Sequence, residues 1–154
     1  MMTPTAKKTE GGNPMQVVYG MKKRALLVED DEGNSELISL ELKILGYEVS
    51  VASNGVDAVE MATSYPPDII IMDMRLPKMN GFEASARIRS DPKTHDTPIL
   101  AMTALAYDKD RDRCIASGCN DHLAKPFTCK QLNERLTRLV RADNGDAYDE
   151  RSRS

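Results

Sequence analysis

Between residues 22 and 140, short apolar runs alternate five times with stretches patterned for helices. RALLVE at Arg24–Glu29 is an apolar run stopped by acids, the mark of a buried strand. Asn34–Leu45 instead spaces Leu37, Leu40, Ile44 and Leu45 as a helix would, and Gly46 closes it as a left-handed cap. Tyr47–Ala52 alternates Tyr47, Val49 and Val51 with polar residues and predicts a second strand. From about Gly55 to Ser64 a second helix turns Val56, Val59 and Ala62 inward, and Pro66–Pro67 forbids its continuation. DIIIM at Asp68–Met72 is the most apolar run, too short for a helix and rich in β-branched residues. It predicts the central strand, buried on both faces, with Asp73 at its carboxyl end. After the loop MRLPKMNG come a helix near Phe82–Ser90, a strand at Pro98–Met102, a helix at about Asp108–Ser117 and a short strand at Asp121–Ala124. The last helix, Thr128–Val140, faces Leu132, Leu136 and Leu139 or Val140 inward.

Strands alternating with helices imply an α/β fold, a parallel sheet covered on both faces, because each parallel connection needs a right-handed crossover. Ligands of such sheets bind beyond the carboxyl ends of the strands, where strand order reverses. Residues 1–21 and 141–154 lack periodicity and are expected to be flexible tails flanking one domain over 22–140. The domain is expected to stand alone, with its output passing through another protein.

A length of 154 residues suits one domain, and 40% hydrophobic against 29% charged residues suffices for a core. Lys and Arg number 21 and Asp and Glu 24, for a net charge of −3. That balance lacks the basic field that nucleic acid or an anionic membrane would attract, so neither is an expected partner. No run reaches the ~18 apolar residues of a membrane span, and the amino end has no signal-peptide core, so a cytoplasmic location is expected. Cys114, Cys119 and Cys129 have neither disulfide nor zinc spacing and read as buried or idle thiols; His95 reads as a surface residue.

The chemistry gathers at the strand ends. Glu29, Asp30 and Asp31 follow the first strand, Asp73 the third, Thr103 the fourth, and Lys125 with Pro126 the fifth. Glu29, Asp30 and Asp73 bring three carboxylates into one crevice, where they repel unless a cation sits among them. Mg²⁺ suits such a site, since it takes a few carboxylate oxygens and leaves room for a phosphate oxygen. The charges of the three carboxylates, Mg²⁺ and Lys125 cancel, so an incoming phosphoryl group meets no net repulsion. Asp73 can then act as an in-line nucleophile forming an acyl phosphate, with Lys125 neutralising charge and Thr103 offering a hydroxyl.

Four segments carry a resemblance: LLVEDDEGN at 26–34, PDIIIMDMRLPKMNG at 67–81, PILAMTA at 98–104 and DHLAKPF at 121–127. From about Lys22 to Val140 the chain resembles the receiver domains of two-component response regulators, the CheY-like family. The resemblance implies a flavodoxin-like (βα)5 fold, doubly wound, with strand order 2-1-3-4-5. It implies Asp73 as phosphoacceptor, Asp30 as a direct Mg²⁺ ligand, Glu29 as its support, often through water, and the Arg75 backbone carbonyl as a further ligand. Thr103 would be the switch hydroxyl and Lys125 the phosphate-binding lysine, with a cis bond to Pro126. The implied phosphodonor is a sensor histidine kinase or a histidine phosphotransfer protein. The implied output is a changed face of fourth helix, fifth strand and last helix that binds or releases an unidentified protein, or onward transfer in a phosphorelay. A receiver-like binding module that works without phosphorylation is the remaining reading.

Two positions depart from the usual pattern. The switch aromatic, three residues before the lysine, is His122, whose side chain titrates near neutral pH and makes its inward state a candidate pH sensor. Arg75 and Leu105 stand at positions that, by the resemblance, border the path of the hydrolytic water in this family, and apolar Leu105 is expected to lengthen the life of the acyl phosphate. A phosphatase of the haloacid dehalogenase kind is disfavoured because Asp73-Met74-Arg75 lacks the second aspartate, the general acid. A flavin carrier is disfavoured because the acids after the first strand would repel the flavin phosphate.

Overall fold

The computed structural model describes residues 22–104 and 108–141. Five strands form one sheet: β1 (Arg24–Val28), β2 (Glu48–Ala52), β3 (Ile69–Asp73), β4 (Ile99–Thr103) and β5 (Asp121–Ala124). All neighbours pair in parallel, in the order β2-β1-β3-β4-β5. Five helices alternate with them: α1 (Glu32–Ile44), α2 (Gly55–Ser64), α3 (Gly81–Ser90), α4 (Asp108–Ala116) and α5 (Cys129–Arg141). This is the flavodoxin-like arrangement, and every boundary lies within about two residues of its sequence expectation, the ordinary uncertainty of helix and strand ends. Among the described residues no helix is long and apolar enough to cross a membrane. The expected tails lie outside the described residues, except that Arg141 closes α5.

Local chemistry sets the helix ends. Asp31, Asn54 and Asn80 are extended N-cap residues whose side chains accept from the N–H groups of Asn34, Asp57 and Glu83. Thr128 and Gln131 exchange the reciprocal bonds of a capping box at the start of α5. At the other end, α1 and α4 each stop in a Schellman turn with a left-handed glycine, Gly46 at φ +102° and Gly118 at φ +110°. The paired bonds are Tyr47 N–H to Leu42 O with Gly46 N–H to Lys43 O, and Cys119 N–H to Cys114 O with Gly118 N–H to Ile115 O.

β3 and β4 are buried along their whole length, as a central pair covered by helices on both faces must be. One core gathers Leu26, Ile70, Met72, Ile99 and Ala101 beneath Ala58, Ala62, Ala84, Ile88 and Cys114 of α2, α3 and α4. The opposite core gathers Leu27, Ile69, Ile71, Leu100 and Met102 beneath Ile38 and Leu42 of α1 and Leu132, Leu136 and Leu139 of α5.

The structure decides which apolar positions of α1 and β2 are core and corrects the inward assignment of Val56. Leu37, Leu40 and Ile44 are 56%, 56% and 71% exposed, whereas Ile38 and Leu42 are buried and Leu45 packs beside them. The helix carries two apolar stripes one residue apart, about 100° around its axis, and the sheet receives only one. On α2, Val56 is exposed and Ala58 takes the inward place, a small residue that lets the helix sit close to the sheet and to Ala84. Val51 is exposed on β2, the edge strand of the sheet.

Cys114 and Cys119 are fully or nearly buried in one apolar cluster, joined by the Schellman turn. Burial pushes the Cys114 thiol up to about 11 and raises that of Cys119 as well. At neutral pH an aromatic disulfide reagent is therefore expected to modify half-buried Cys129 quickly and the other two only after unfolding. Three equally fast thiols would contradict this packing.

Candidate functional site

The strand order reverses between β1 and β3, and the crevice above that point is where the acidic residues converge. Glu29 leaves the end of β1 with its N–H bonded to Ala52 O at 3.0 Å, which turns its side chain inward to 2% exposure. Asp30 stays exposed, and Asp73, the last residue of β3, is 7% exposed. Carboxylate oxygens of Glu29, Asp30 and Asp73 lie within 4.8 Å of one another. Asp31 is no part of this set: it caps α1, and its own N–H donates to Glu29 Oε2 at 3.2 Å.

Lys125 supplies the counter-charge. Its Nζ donates to Asp73 Oδ2 at 3.0 Å and to Glu29 Oε1 at 3.1 Å. Burial raises the Glu29 pKa; the hydrogen bonds from Lys125 and the Asp31 backbone oppose this, and the charge of Asp73 adds to it. Burial works against the Lys125 ammonium too, but the two carboxylates beside it outweigh burial and leave its pKa raised. Such a pair holds a compact anionic pocket with one cation already in it, and its donor set of hard oxygens fits a divalent cation such as Mg²⁺.

The remaining sequence candidates fall around this centre. The Arg75 N–H donates to Asp73 Oδ1 at 2.9 Å, so its backbone stands beside the acceptor carboxylate while its side chain is exposed. Thr103 ends β4 with its side chain buried, and its carbonyl accepts from Lys125 N–H at 2.8 Å, tying the ends of β4 and β5 together. The Lys125–Pro126 peptide is cis. His122 pairs with Ala101 in the register that pairs Ala124 with Thr103, which puts His122 on the same face of the sheet as Thr103. Its imidazole is partly exposed with Nδ1 3.9 Å from Asp121 Oδ1, and its carbonyl accepts from Arg135. Leu105 lies outside the described residues.

Several residues near the site escaped the sequence reading. Asn54 is buried and caps α2 beside the loop that follows Asp73, a role for which Asn before a helical pattern was the available signal. Arg113 lays its guanidinium over the Phe82 ring at 3.8 Å; nothing in the sequence pairs residues so far apart. Both line a cavity of about 460 Å³ with Thr103, Arg75 and Asp110.

Comparison with known proteins agrees with this geometry. Residues 25–137 match the response regulator receiver domain. The chain is 37% identical over 118 residues to the DNA-binding dual master transcriptional regulator RpaA of Synechocystis, covering 77% of this chain and 49% of that protein. It is 38% identical over 121 residues to the response regulator PleD of Caulobacter vibrioides, covering 79% of this chain and 27% of PleD. The chain thus spans half or less of these two relatives, whereas it spans 94% of the polar-differentiation response regulator DivK of Brucella anthropi, at 32% identity and 75% of its own length. Among solved structures, the receiver domain of the sensor histidine kinase PA1611 from Pseudomonas aeruginosa superposes with a TM-score of 0.73 at 39% identity, over 77% of this chain and 98% of that one. That structure has a magnesium ion coordinated in its active site cleft. The chemotaxis response regulator CheY4 of Vibrio cholerae superposes with a TM-score of 0.74 at 31% identity, over 77% of this chain and 98% of that one. With its parallel sheet in the order 2-1-3-4-5 and its acidic crevice at the switch point, the chain belongs to the family of response regulator receiver domains.

Proposed function

We propose that Asp73 accepts a phosphoryl group from a phosphohistidine donor and that the resulting acyl phosphate controls binding to a protein partner. The observation that carries this reading is Lys125 Nζ at 3.0 Å from Asp73 Oδ2 inside a cluster of three carboxylates at the topological switch point. Glu29, Asp30, Asp73 and the Arg75 carbonyl are the groups to hold Mg²⁺, which when bound supplies positive charge to the oxygens of the transferring phosphoryl group. An Asp73 carboxylate oxygen forms the new P–O bond as the P–N bond of the donor breaks, and the electron pair and a proton end on the departing imidazole. Lys125, already paired with Asp73, stays beside the acceptor and offsets charge on the new phosphate. Thr103 offers its hydroxyl from the end of β4, and His122 on the same face of β5 couples that end of the sheet to α4, β5 and α5. The test is incubation with Mg²⁺ and acetyl phosphate, or with a phosphorylated histidine protein, followed by intact-mass detection of a hydroxylamine-labile adduct. Absence of an adduct with both donors leaves the receiver-like binding module as the reading.

The donor's docking surface is the outer stripe of α1. Leu37, Leu40 and Ile44 expose more than half of their surface, and beside them a groove of about 340 Å³ runs along Asn34, Ile38 and Glu41 to Lys125, Pro126 and Phe127. The groove thus ends at the lysine of the acceptor site, and its apolar wall suits an amphipathic helix presenting a phosphohistidine. Leu40→Asp is expected to slow transfer from a phosphohistidine protein about tenfold or more, the cost of one well-buried interface contact. Labelling by acetyl phosphate should stay unchanged. Equal slowing with both donors would move the docking surface elsewhere.

A further inference from the structure

Gly55 opens α2 directly after the N-cap Asn54, and its conformation is not the reason it is glycine. Among the described glycines only Gly46 and Gly118 adopt positive φ. What excludes a side chain at Gly55 is space. A Cβ there would lie 1.9 Å from the Met79 carbonyl oxygen, 2.6 Å from its carbonyl carbon and 2.8 Å from its Cβ. The two nearest of these are backbone atoms, which cannot swing aside as a side-chain tip would.

Met79 belongs to the loop that connects Asp73 to α3, and the far end of that loop is confined in the same way. A Cβ on Gly81 would lie 2.5 Å from Asp73 O and 2.7 Å from Met74 Cα. The loop is therefore clasped between two bare backbones, one on α2 and one on α3. Beyond the packing of Met74, Leu76 and Met79 on the core, the backbone of the loop makes few bonds of its own, Gly81 N–H to Met74 O at 3.1 Å and Met79 N–H to Pro77 O at 2.7 Å, with Lys78 held at φ +67°, left-handed for a residue with a side chain. The helix α2, by contrast, is fixed by fully buried Ala58 and Ala62 and by the Asn54 cap. An intrusion at Gly55 displaces the loop rather than the helix.

We infer that Gly55 is a positioning residue for the phosphoacceptor site. By letting α2 touch Met79, it fixes the loop 74–80 and with it the Arg75 backbone, whose N–H already holds Asp73 Oδ1 at 2.9 Å. The inference rests on the proposed roles of Asp73 as acceptor and the Arg75 carbonyl as a metal ligand. Groups that orient metal ligands from outside the coordination shell typically cost about 10–100-fold in affinity when lost.

The experiment compares Gly55→Ala with Gly46→Ala in the full chain. An added Cβ on Gly46 meets nothing within 4 Å, so that variant carries backbone strain far from the loop without a clash. Both variants are expected to lower the melting temperature. Only Gly55→Ala is expected to shift the amide resonances of Arg75 and Met79 in metal-free protein and to weaken Mg²⁺ binding, read by calorimetry, about 10–100-fold. Unmoved loop amides in Gly55→Ala, or equal loss of Mg²⁺ affinity in Gly46→Ala, overturn the inference. If the unsubstituted chain binds no Mg²⁺, the reading of the site falls, and the amide shifts alone decide whether Gly55 places the loop. Should Gly55→Ala not fold, Asn54→Ala, which frays the first turn of α2, is expected to move the same amides in smaller measure; their constancy overturns the inference equally.

Discussion

Asp73→Asn is expected to fold, to retain the apolar core and to take no phosphoryl group from any donor. The carboxylamide is close in shape to the carboxylate but is not a nucleophile. Asp30 is exposed, whereas Glu29 is buried and accepts from Lys125 and the Asp31 N–H much as Asp73 accepts from Lys125 and the Arg75 N–H, so the substitution decides between these two carboxylates. The substitution also removes one of three mutually repelling charges, so the metal-free variant should melt no lower than the native chain. Intact-mass analysis after incubation with Mg²⁺ and acetyl phosphate reads the outcome directly. A hydroxylamine-labile adduct persisting in Asp73→Asn would place the acceptor on another carboxylate and end the assignment.

The second large effect concerns stability and lies at the opposite end of the sheet. Arg89 in the last turn of α3 donates from Nε to Gly118 O at 2.8 Å, from one terminal nitrogen to Thr94 O and His95 O at 3.3 and 3.2 Å, and from the other to Asn120 Oδ1 at 2.5 Å. Asn120 Oδ1 also accepts from Ile99 N–H at 2.8 Å, so one guanidinium joins α3, the loop before β4, the start of β4 and the turn before β5. Burial lowers the Arg89 pKa, yet a guanidinium remains charged, and hydrogen bonds from a charged donor are worth about 1.5–3 kcal/mol each. Arg89→Met keeps most of the aliphatic stem that packs on Gly118 and removes every donor. Because part of the freed carbonyl surface regains water, a loss of about 3 kcal/mol is expected, or about 10 °C in melting temperature for a domain of this size. Phosphorylation of Asp73 well below that temperature should be unchanged, since Arg89 touches none of the strand ends that carry the site. A shift below about 3 °C would show that water replaces these bonds at little cost.

Much of the fold was legible because parallel strands buried on both faces announce themselves as unbroken apolar runs. Ile69–Met72 can be little else, and the prolines at 66 and 67 and Gly46 mark where their helices stop. The acidic triplet after β1, Asp73 after β3 and Lys125 after β5 were legible for the same reason: parallel topology sends every carboxyl end to one rim, so linear position translates into proximity.

The orientation of the helices about their own axes was not legible. α1 offers two apolar stripes of nearly equal strength, Leu37–Leu40–Ile44 and Ile38–Leu42–Leu45, and periodicity cannot choose between them. The packing of α1 against Leu27 and Ile69 on one side and α5 on the other buries the second stripe and leaves the first in solvent. The demand for bare backbone at Gly55 and the reach of Arg89 to four separate carbonyl and amide oxygens were equally invisible, since each depends on an approach between segments distant along the chain. The sequence by itself determined which elements form, where they end and which ionisable groups stand at the strand ends, because these follow from local sterics and hydrophobic periodicity. Only the tertiary structure decided which helical stripe is core and how closely the loop after Asp73 is held, because both depend on the close packing of surfaces brought together by folding.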